Sequence, residues 1–220
     1  FDDDTIYYYT TARSIYLNAD SSSMFKRIRF LQNIQDIDIW DTSQVTNMSY
    51  MFSNAGYYGT TWNIGDLSGW NTSQVTNMSY MFNGAGQSAW TWNIGDLSEW
   101  DTSKVTDMNN MFNHAGSNAI TWNIGDISGW TTSQVTDMSN MFSHVASRAT
   151  TFNLDLSEWD TSKVTDMNNM FNYAAANATS WSIGDLSEWT TSQVTDMSYM
   201  FSGAGNNAIM WNIGDLSGTS

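Results

Sequence analysis

The chain has 220 residues, a net charge of −15, twelve tryptophans, fourteen methionines, and neither cysteine nor proline. The lack of cysteine excludes a disulfide framework and thiol chemistry. The negative charge disfavours nucleic-acid partners, and no apolar run is long enough for direct insertion into a membrane. From Gln32 onward, three cations accompany 18 acids, so the main body is acidic and should attract cations or basic partners.

Residues 1–23 are predicted to form an N-terminal β cap. Residues 5–9 and 14–17 are rich in tyrosine and isoleucine, which indicates two strands. Repeat arrays need a cap because their first coil otherwise exposes apolar surface.

Residues 24–220 form a tandem repeat. The phrase W-x-T-S-x-V-T-x-M-x-x-M-F occurs six times, at intervals of 30, 30, 30, 29 and 30 residues. It begins at Trp40, Trp70, Trp100, Trp130, Trp159 and Trp189. A fixed period in this range is typical of a solenoid, here of about six to seven coils. Because the sequence closes inside a repeat, we expect the array to continue beyond residue 220.

One coil shows the predicted elements. Residues 73–85 place apolar side chains at the spacing of one helix face, and Thr72 or Ser73 is a suitable N-cap. Residues 62–70 are predicted to be a short strand in which Gly65 forms a one-residue bulge. The recurring tryptophans and methionines are expected to pack in the core.

Together these elements predict an α/β solenoid. Parallel strands stack about 4.8 Å apart, whereas helices need about 8–10 Å. The array should therefore be curved and leucine-rich-repeat-like, with short parallel strands on one face and helices on the other. A β-solenoid without helices is the alternative.

Residues 96–112 and 155–171 share the phrase D-L-S-E-W-D-T-S-K-V-T-D-M-N-N-M-F. This phrase resembles the repeat of BspA-like leucine-rich-repeat surface proteins, which is also found in mycoplasma surface lipoproteins and Listeria surface proteins. The segment Leu17–Phe25 resembles the usual entry into such arrays. The resemblance implies an extracellular or cell-surface, non-enzymatic protein, with adhesion or host interaction often inferred for members. The longer loop Gly56–Thr61 departs from the family pattern.

A row of aspartates on the predicted concave face is the first candidate binding site. It comprises Asp36, Asp66, Asp96, Asp126, Asp155, Asp185 and Asp215. Carboxylates about 5 Å apart repel one another, so Ca²⁺ or a basic partner would compensate them. The structural alternative is that each carboxylate accepts hydrogen bonds from nearby backbone N–H or hydroxyl groups and shapes its turn.

Aromatic residues supply the second candidate. A row of recurring aromatic residues could stack sugar rings, although core packing is the alternative: Trp62, Trp92, Trp122, Phe152, Trp181 and Trp211. Tyr57, Tyr58 and Trp90 lie outside the rows, in the loops, and are predicted to form an exposed contact surface.

Two smaller candidates remain. His114 and His144 share one repeat position, but a Zn²⁺ site would need further ligands, and solvated helix ends are the alternative. The repeated threonine and serine hydroxyls fit helix caps, with ice binding as the alternative.

The sequence therefore leaves two main classes of function. The first is a cell-surface adhesion or interaction module that binds a protein or glycan on another surface. The second is a self-associating structural component of a surface layer, sheath or fibre. An enzyme is disfavoured because the acids occur only as rows and the two histidines are equivalent.

Overall fold

Short strands are the main regular elements of the protein. The computed structural model describes residues 5–6, 14–211 and 213–214. The parallel pairs are β1 (Thr5–Ile6) with β2 (Asn33–Ile34), β3 (Thr61–Asn63) with β4 (Thr91–Asn93), and β5 (Thr151–Asn153) with β6 (Ser180–Ser182). A 3₁₀ helix spans Ile37–Ile39. None of the described helices has the length and hydropathy of a membrane-spanning segment.

The predicted helices are not found among the described residues. Residues 73–85 form turns, and Asn77 makes two isolated bridges, to Asn47 and to Asp107. Tyr80 has a φ of 57° and Gly84 a φ of 65°, left-handed values that a right-handed helix does not contain. The prediction of a leucine-rich-repeat-like α/β solenoid with helices on one face is therefore wrong. The alternative of a β-solenoid without helices is also wrong, because strand covers only Thr61–Asn63 in a repeat such as residues 61–90.

The consecutive turns form a ribbon in which some backbone N–H groups bond to the next repeat and others close turns within their own repeat. Met78, Tyr80 and Phe82 donate their N–H groups to carbonyls of the next repeat, at 3.0, 2.9 and 2.8 Å. Other N–H groups close local turns, as where Met81 donates to the carbonyl of Met78 at 3.2 Å and Ala85 to that of Phe82 at 2.9 Å. Each repeat therefore satisfies much of its backbone through its neighbours, whereas a helix would satisfy it internally.

The apolar side chains of the ribbon form the core. One phenylalanine from each repeat stacks on the next, and the centroids of Phe82 and Phe112 lie 5.5 Å apart. The indole N–H of Trp70 donates to the carbonyl of Ile37 at 3.0 Å, and later repeats do the same. The predicted core packing of the recurring tryptophans and methionines is confirmed for the inner repeats.

The strand predictions are partly right. Only Thr61–Asn63 of the coil around residue 65 is strand, with Trp62 buried and its two neighbours exposed. Near the N-terminus, Thr5–Ile6 is a strand, Tyr16 forms a single bridge to Asp41, and residues 7–13 lie outside the described residues. Backbone hydrogen bonds to the following repeat are already present at Ile15, whose carbonyl accepts the N–H of Asp41, and at Leu17. The boundary between residues 23 and 24 stays a prediction.

Candidate functional site

The predicted aspartate row is exposed, and its carboxylates are engaged in turns. The members that the structure describes are Asp36, Asp66, Asp96, Asp126, Asp155 and Asp185, all exposed, whereas Asp215 lies outside the described residues. From Asp66 onward each accepts the backbone N–H of the serine two residues later, at 2.9 to 3.1 Å. This is the Asx-turn geometry, in which a side-chain oxygen takes the place of a backbone acceptor. The backbone and hydroxyl of Ser128 accordingly lower the pKa of Asp126.

A glycine of the following repeat packs against four of these carboxylates, those of Asp66, Asp96, Asp155 and Asp185. A Cβ atom at Gly95 would collide with the carboxylate of Asp66, and one at Gly125 with that of Asp96. The carboxylates are thus part of the packing between repeats. Among the described residues, no group of three or more acidic, histidine or cysteine side chains is arranged to hold a metal ion. Ca²⁺ binding and a basic partner at this row stay predictions.

Two further rows form the same turn where they carry asparagine or aspartate. Asn71 accepts from the N–H of Ser73 at 3.1 Å, and Asn77 accepts from the N–H of Ser79 at 2.8 Å. Later repeats place aspartate in the third row, where burial raises the pKa of Asp107. The acids that made the sequence look like a binding surface therefore shape up to three turns per repeat. Two repeats carry threonine in the second row instead: Thr131 and Thr190.

The two histidines stack face to face. Their ring centroids are 4.5 Å apart with a 2° angle between planes, and Tyr173 continues the stack 5.2 Å from His144. Ring-nitrogen lone pairs lie in the ring planes, so two parallel stacked rings do not converge on one metal ion. Burial and the neighbouring His144 lower the pKa of His114 to about 4, and burial lowers the pKa of His144.

The depressed histidine pKa values predict loss of stability in acid. The folded pKa of His114 is about 4, below its ordinary 6.5, so the unfolded chain binds the proton first. The stabilisation is complete above pH 6.5 and is lost as the pH falls towards 4, by about 1–2 kcal/mol after allowing for partial exposure. Urea unfolding followed across this pH range measures the loss.

His114→Asn is the matched variant for this measurement. His114 has a φ of 58°, which asparagine tolerates, and Asn54 holds the same repeat position. The variant should lose less stability than the wild type between pH 6.5 and 4. Asp107 has a raised pKa, so its own contribution to folding stability changes with pH in the opposite direction. Asp107 is present in both proteins, so this contribution does not affect the comparison. Equal losses in the two proteins would contradict the prediction.

The recurring aromatic row is not available to a sugar. Trp62, Trp92 and Trp181 are buried, as is Phe152, and Trp122 is half-buried. Only in the last described repeat is the equivalent residue, Trp211, exposed, at 42%. Sugar stacking along this row is therefore wrong for the inner repeats, where the rings pack in the core.

An exposed apolar row lies in the loops of the first repeats. We call the four residues Phe30, Tyr58, Trp90 and Ile120 the loop row; they are 56%, 49%, 60% and 52% exposed. The centroids of Phe30 and Tyr58 are 5.6 Å apart, and Ile120 donates its N–H to the carbonyl of Trp90 at 3.1 Å. Tyr57, the third predicted loop residue, is half-buried with its ring 4.9 Å from that of Tyr58. Two of the three predicted loop residues, Tyr58 and Trp90, are thus exposed, each beside one further exposed apolar residue.

Two copies of one family model cover nearly all of this repeat array. The family is described as "Mycoplasma protein of unknown function, DUF285", and its model matches residues 19–122 and 116–215. The chain belongs to this family. Comparison with curated proteins and with solved structures gave no match.

Sequence reasoning missed two members of the loop row, Phe30 and Ile120. A signal for Ile120 exists in the repeat itself, since Thr60, Thr150 and Thr179 hold its equivalent positions. An apolar residue where other repeats carry an exposed polar one indicates a local role beyond stacking. Phe30 precedes the first full repeat, so the repeat period does not assign it a position. Only its contact with Tyr58 in the structure shows that it belongs to the loop row.

Proposed function

We propose that this chain is a non-enzymatic interaction module, displayed at an extracellular cell surface, that adheres to a protein or glycan on another surface through the loop row. The observation that carries the proposal is the exposure of two neighbouring apolar pairs in the loops, Phe30 with Tyr58 and Trp90 with Ile120. Kinship with the BspA-like surface proteins is part of the proposal and rests on the repeated phrase at residues 96–112 and 155–171.

The physical argument concerns the cost of exposing apolar side chains. The loop row consists of two pairs, each joined by a backbone hydrogen bond between neighbouring repeats: Tyr58 donates to the carbonyl of Arg29, next to Phe30, and Ile120 donates to that of Trp90. The side chains of each pair therefore lie close together, with strand-like backbone spacing of about 4.8 Å. Contiguous exposed apolar surface in a folded protein usually marks an interaction site. Tryptophan and tyrosine are also the residues that most often dominate binding energy at interfaces.

The polar rows support the same assignment by contrast. The aspartate row from Asp66 onward is engaged in turns. The threonine hydroxyls of successive repeats donate to carbonyls of the preceding repeat. These side chains have a structural partner in each repeat. The stacking of repeats does not require the side chains of Trp90 and Ile120, because threonine occupies their position in other repeats.

The double variant Trp90→Thr/Ile120→Thr tests the proposal. Threonine stands at the same exposed position in Thr60, Thr150 and Thr179, so the variant should fold and unfold as the wild type does. Its affinity for intact epithelial cells, or for immobilised cell-surface proteins and glycans, should fall about tenfold or more, as expected for interface hot spots. Fluorescence titration of the labelled chain gives the affinity.

Ile209→Thr is the matched control. Ile209 holds the same repeat position and is 86% exposed, but it lies three repeats beyond Ile120. It should leave the affinity unchanged. Undiminished binding by the double variant would refute the loop row as the contact surface.

Self-association is the second candidate function. In the last described repeat Met197 and Tyr199 are 40% and 70% exposed, whereas Met48, Met78 and Met108 are fully buried. These side chains become buried wherever a further repeat stacks on them, and a repeat from a second copy of the chain would bury them in the same way. Sedimentation velocity over a wide concentration range separates the candidates. A monomer throughout supports the interaction module, and reversible growth into oligomers supports the structural role.

A further inference from the structure

A small polar cavity lies next to the loop row. It has a volume of about 210 Å³ and is lined by Arg29, Asn54, Tyr57 and Tyr58. Tyr58 donates its backbone N–H to the carbonyl of Arg29 at 2.9 Å. Residues 29 positions apart in the sequence are thereby held side by side by the same inter-repeat bonding that builds the fold.

The guanidinium of Arg29 is poised for an anionic ligand. Its side-chain contacts within the described part of the chain are to Tyr58, with one N–H 3.4 Å from the hydroxyl and the guanidinium carbon 5.7 Å from the ring centre. A bond of 3.4 Å is long, and an arginine has five N–H donors. Most of its N–H donors therefore have no partner among the described residues. They can bind a carboxylate in the paired geometry that arginine favours.

The surroundings of the cavity differ in charge from the rest of the protein. Lys26 lies nearby in sequence with its ammonium 3.7 Å from the centre of the Tyr50 ring, and Arg27 is exposed. The chain as a whole carries a net charge of −15. Residues 1–31 carry four cations and four acids, so an acidic ligand is repelled less at this end of the array than by the acidic remainder of the chain.

The aromatic rings around the cavity suit a sugar. Tyr57 and Tyr58 meet at 85° with centroids 4.9 Å apart, and Phe30 adds a third ring beside Tyr58. Aromatic faces pack against the C–H face of a pyranose, while the Asn54 amide and the tyrosine hydroxyls can bind its hydroxyl groups. An extended acidic peptide would use the guanidinium but has no ring to fill the angle between the two tyrosines.

We propose that this cavity binds the carboxylate-bearing unit of an acidic glycan, with Arg29 as the carboxylate ligand. The inference rests on the proposed function, since it names the kind of partner that the loop row meets. In this arrangement the cavity supplies the selectivity for a uronate-type sugar. Trp90 and Ile120 extend the contact along the glycan or its carrier.

Titration of the full chain with three probes tests the inference. The probes are a glucuronate-containing trisaccharide, its carboxyl-reduced counterpart and an oligoglutamate peptide. The trisaccharide should bind, and reduction of its carboxyl group should weaken binding about tenfold or more, because a charge-assisted pair is lost. Arg29→Gln should weaken binding of the trisaccharide to a similar extent. Arg29→Lys should retain part of the affinity, because lysine keeps the positive charge but lacks the paired N–H donors of the guanidinium.

Arg148→Gln is the matched control, because Arg148 is an exposed arginine at the repeat position of Tyr58 and does not line the cavity. It should bind the trisaccharide as the wild type does. Equal affinity for the two trisaccharides, equal affinity of Arg29→Gln and the wild type, binding of the peptide alone, or no binding would each overturn the inference. Its failure is distinguishable from that of the proposed function, because cell binding that depends on Trp90 and Ile120 is measured separately.

Discussion

Replacing Met111 with aspartate is expected to unfold the repeats around it. Met111 is fully buried, and its carbonyl accepts the N–H of Phe82 from the preceding repeat at 2.8 Å. A carboxylate in its place would be an unpaired buried charge, which costs about 4 kcal/mol or more. Because repeats are stabilised mainly by their neighbours, the damage should spread to adjacent repeats. Thermal unfolding followed by tryptophan fluorescence and circular dichroism measures the loss.

Met111→Leu is the control for this variant. Leucine has nearly the same volume and no charge, so the expected cost is below about 1.5 kcal/mol. A Met111→Asp protein that unfolds at the wild-type temperature would show that this side chain is not in the core.

Gly125→Ala is expected to have the second largest effect. Gly125 has a φ of 83°, and a Cβ atom there would collide with the carboxylate of Asp96. The left-handed backbone and the displaced carboxylate together should cost about 2–4 kcal/mol. Chemical unfolding of the variant gives the change in free energy.

Two further proteins show whether the contact with Asp96 is the cause. A Cβ atom at Gly129 would meet no atom within 4 Å, so Gly129→Ala should be nearly neutral. In an Asp96→Ala background, Gly125→Ala should cost less than it does alone, because the clashing carboxylate is gone. A fully additive pair would contradict the packing of the aspartate row against the glycines.

The sequence predicted the repeat and its core because both follow from patterns within the chain. The period defines which residues stack, and the apolar positions define which side chains are buried. The aspartate row was predicted to face outward, and the alternative of hydrogen bonding to nearby backbone groups is what the structure shows for Asp66 and its equivalents. These features depend on local spacing and on equivalence between repeats.

The helix prediction failed because its apolar spacing fits a second structure equally well. Turns of about three residues bury the same side chains as one face of a helix, and the choice depends on bonds to the next repeat. Asn54, Gly84 and Asn110 sit at left-handed positions and are residues that tolerate them. Tyr80 and His114 adopt the same left-handed conformation. Because a tyrosine or histidine does not by itself indicate a left-handed turn, the recurrence of these turns was not recognisable from the sequence.

The candidate contact surface was only partly visible in the sequence. Tyr58 and Trp90 were recognisable because they fall outside the repeated rows. The cavity was not, because it requires Arg29 and Tyr58 to meet across repeats of unequal loop length. A sequence pattern shows which residues recur, whereas a site built from exceptions to the repeat requires the coordinates.

Far-UV circular dichroism of the purified chain tests the central claim most directly, namely that turns bonded between repeats replace the helices that the apolar spacing suggests. The structure predicts a spectrum without the double minimum of an α-helix, and a single cooperative loss of signal when the stack unfolds. A spectrum with substantial helix content would contradict the ribbon of turns and, with it, the placement of the loop row on adjacent repeats.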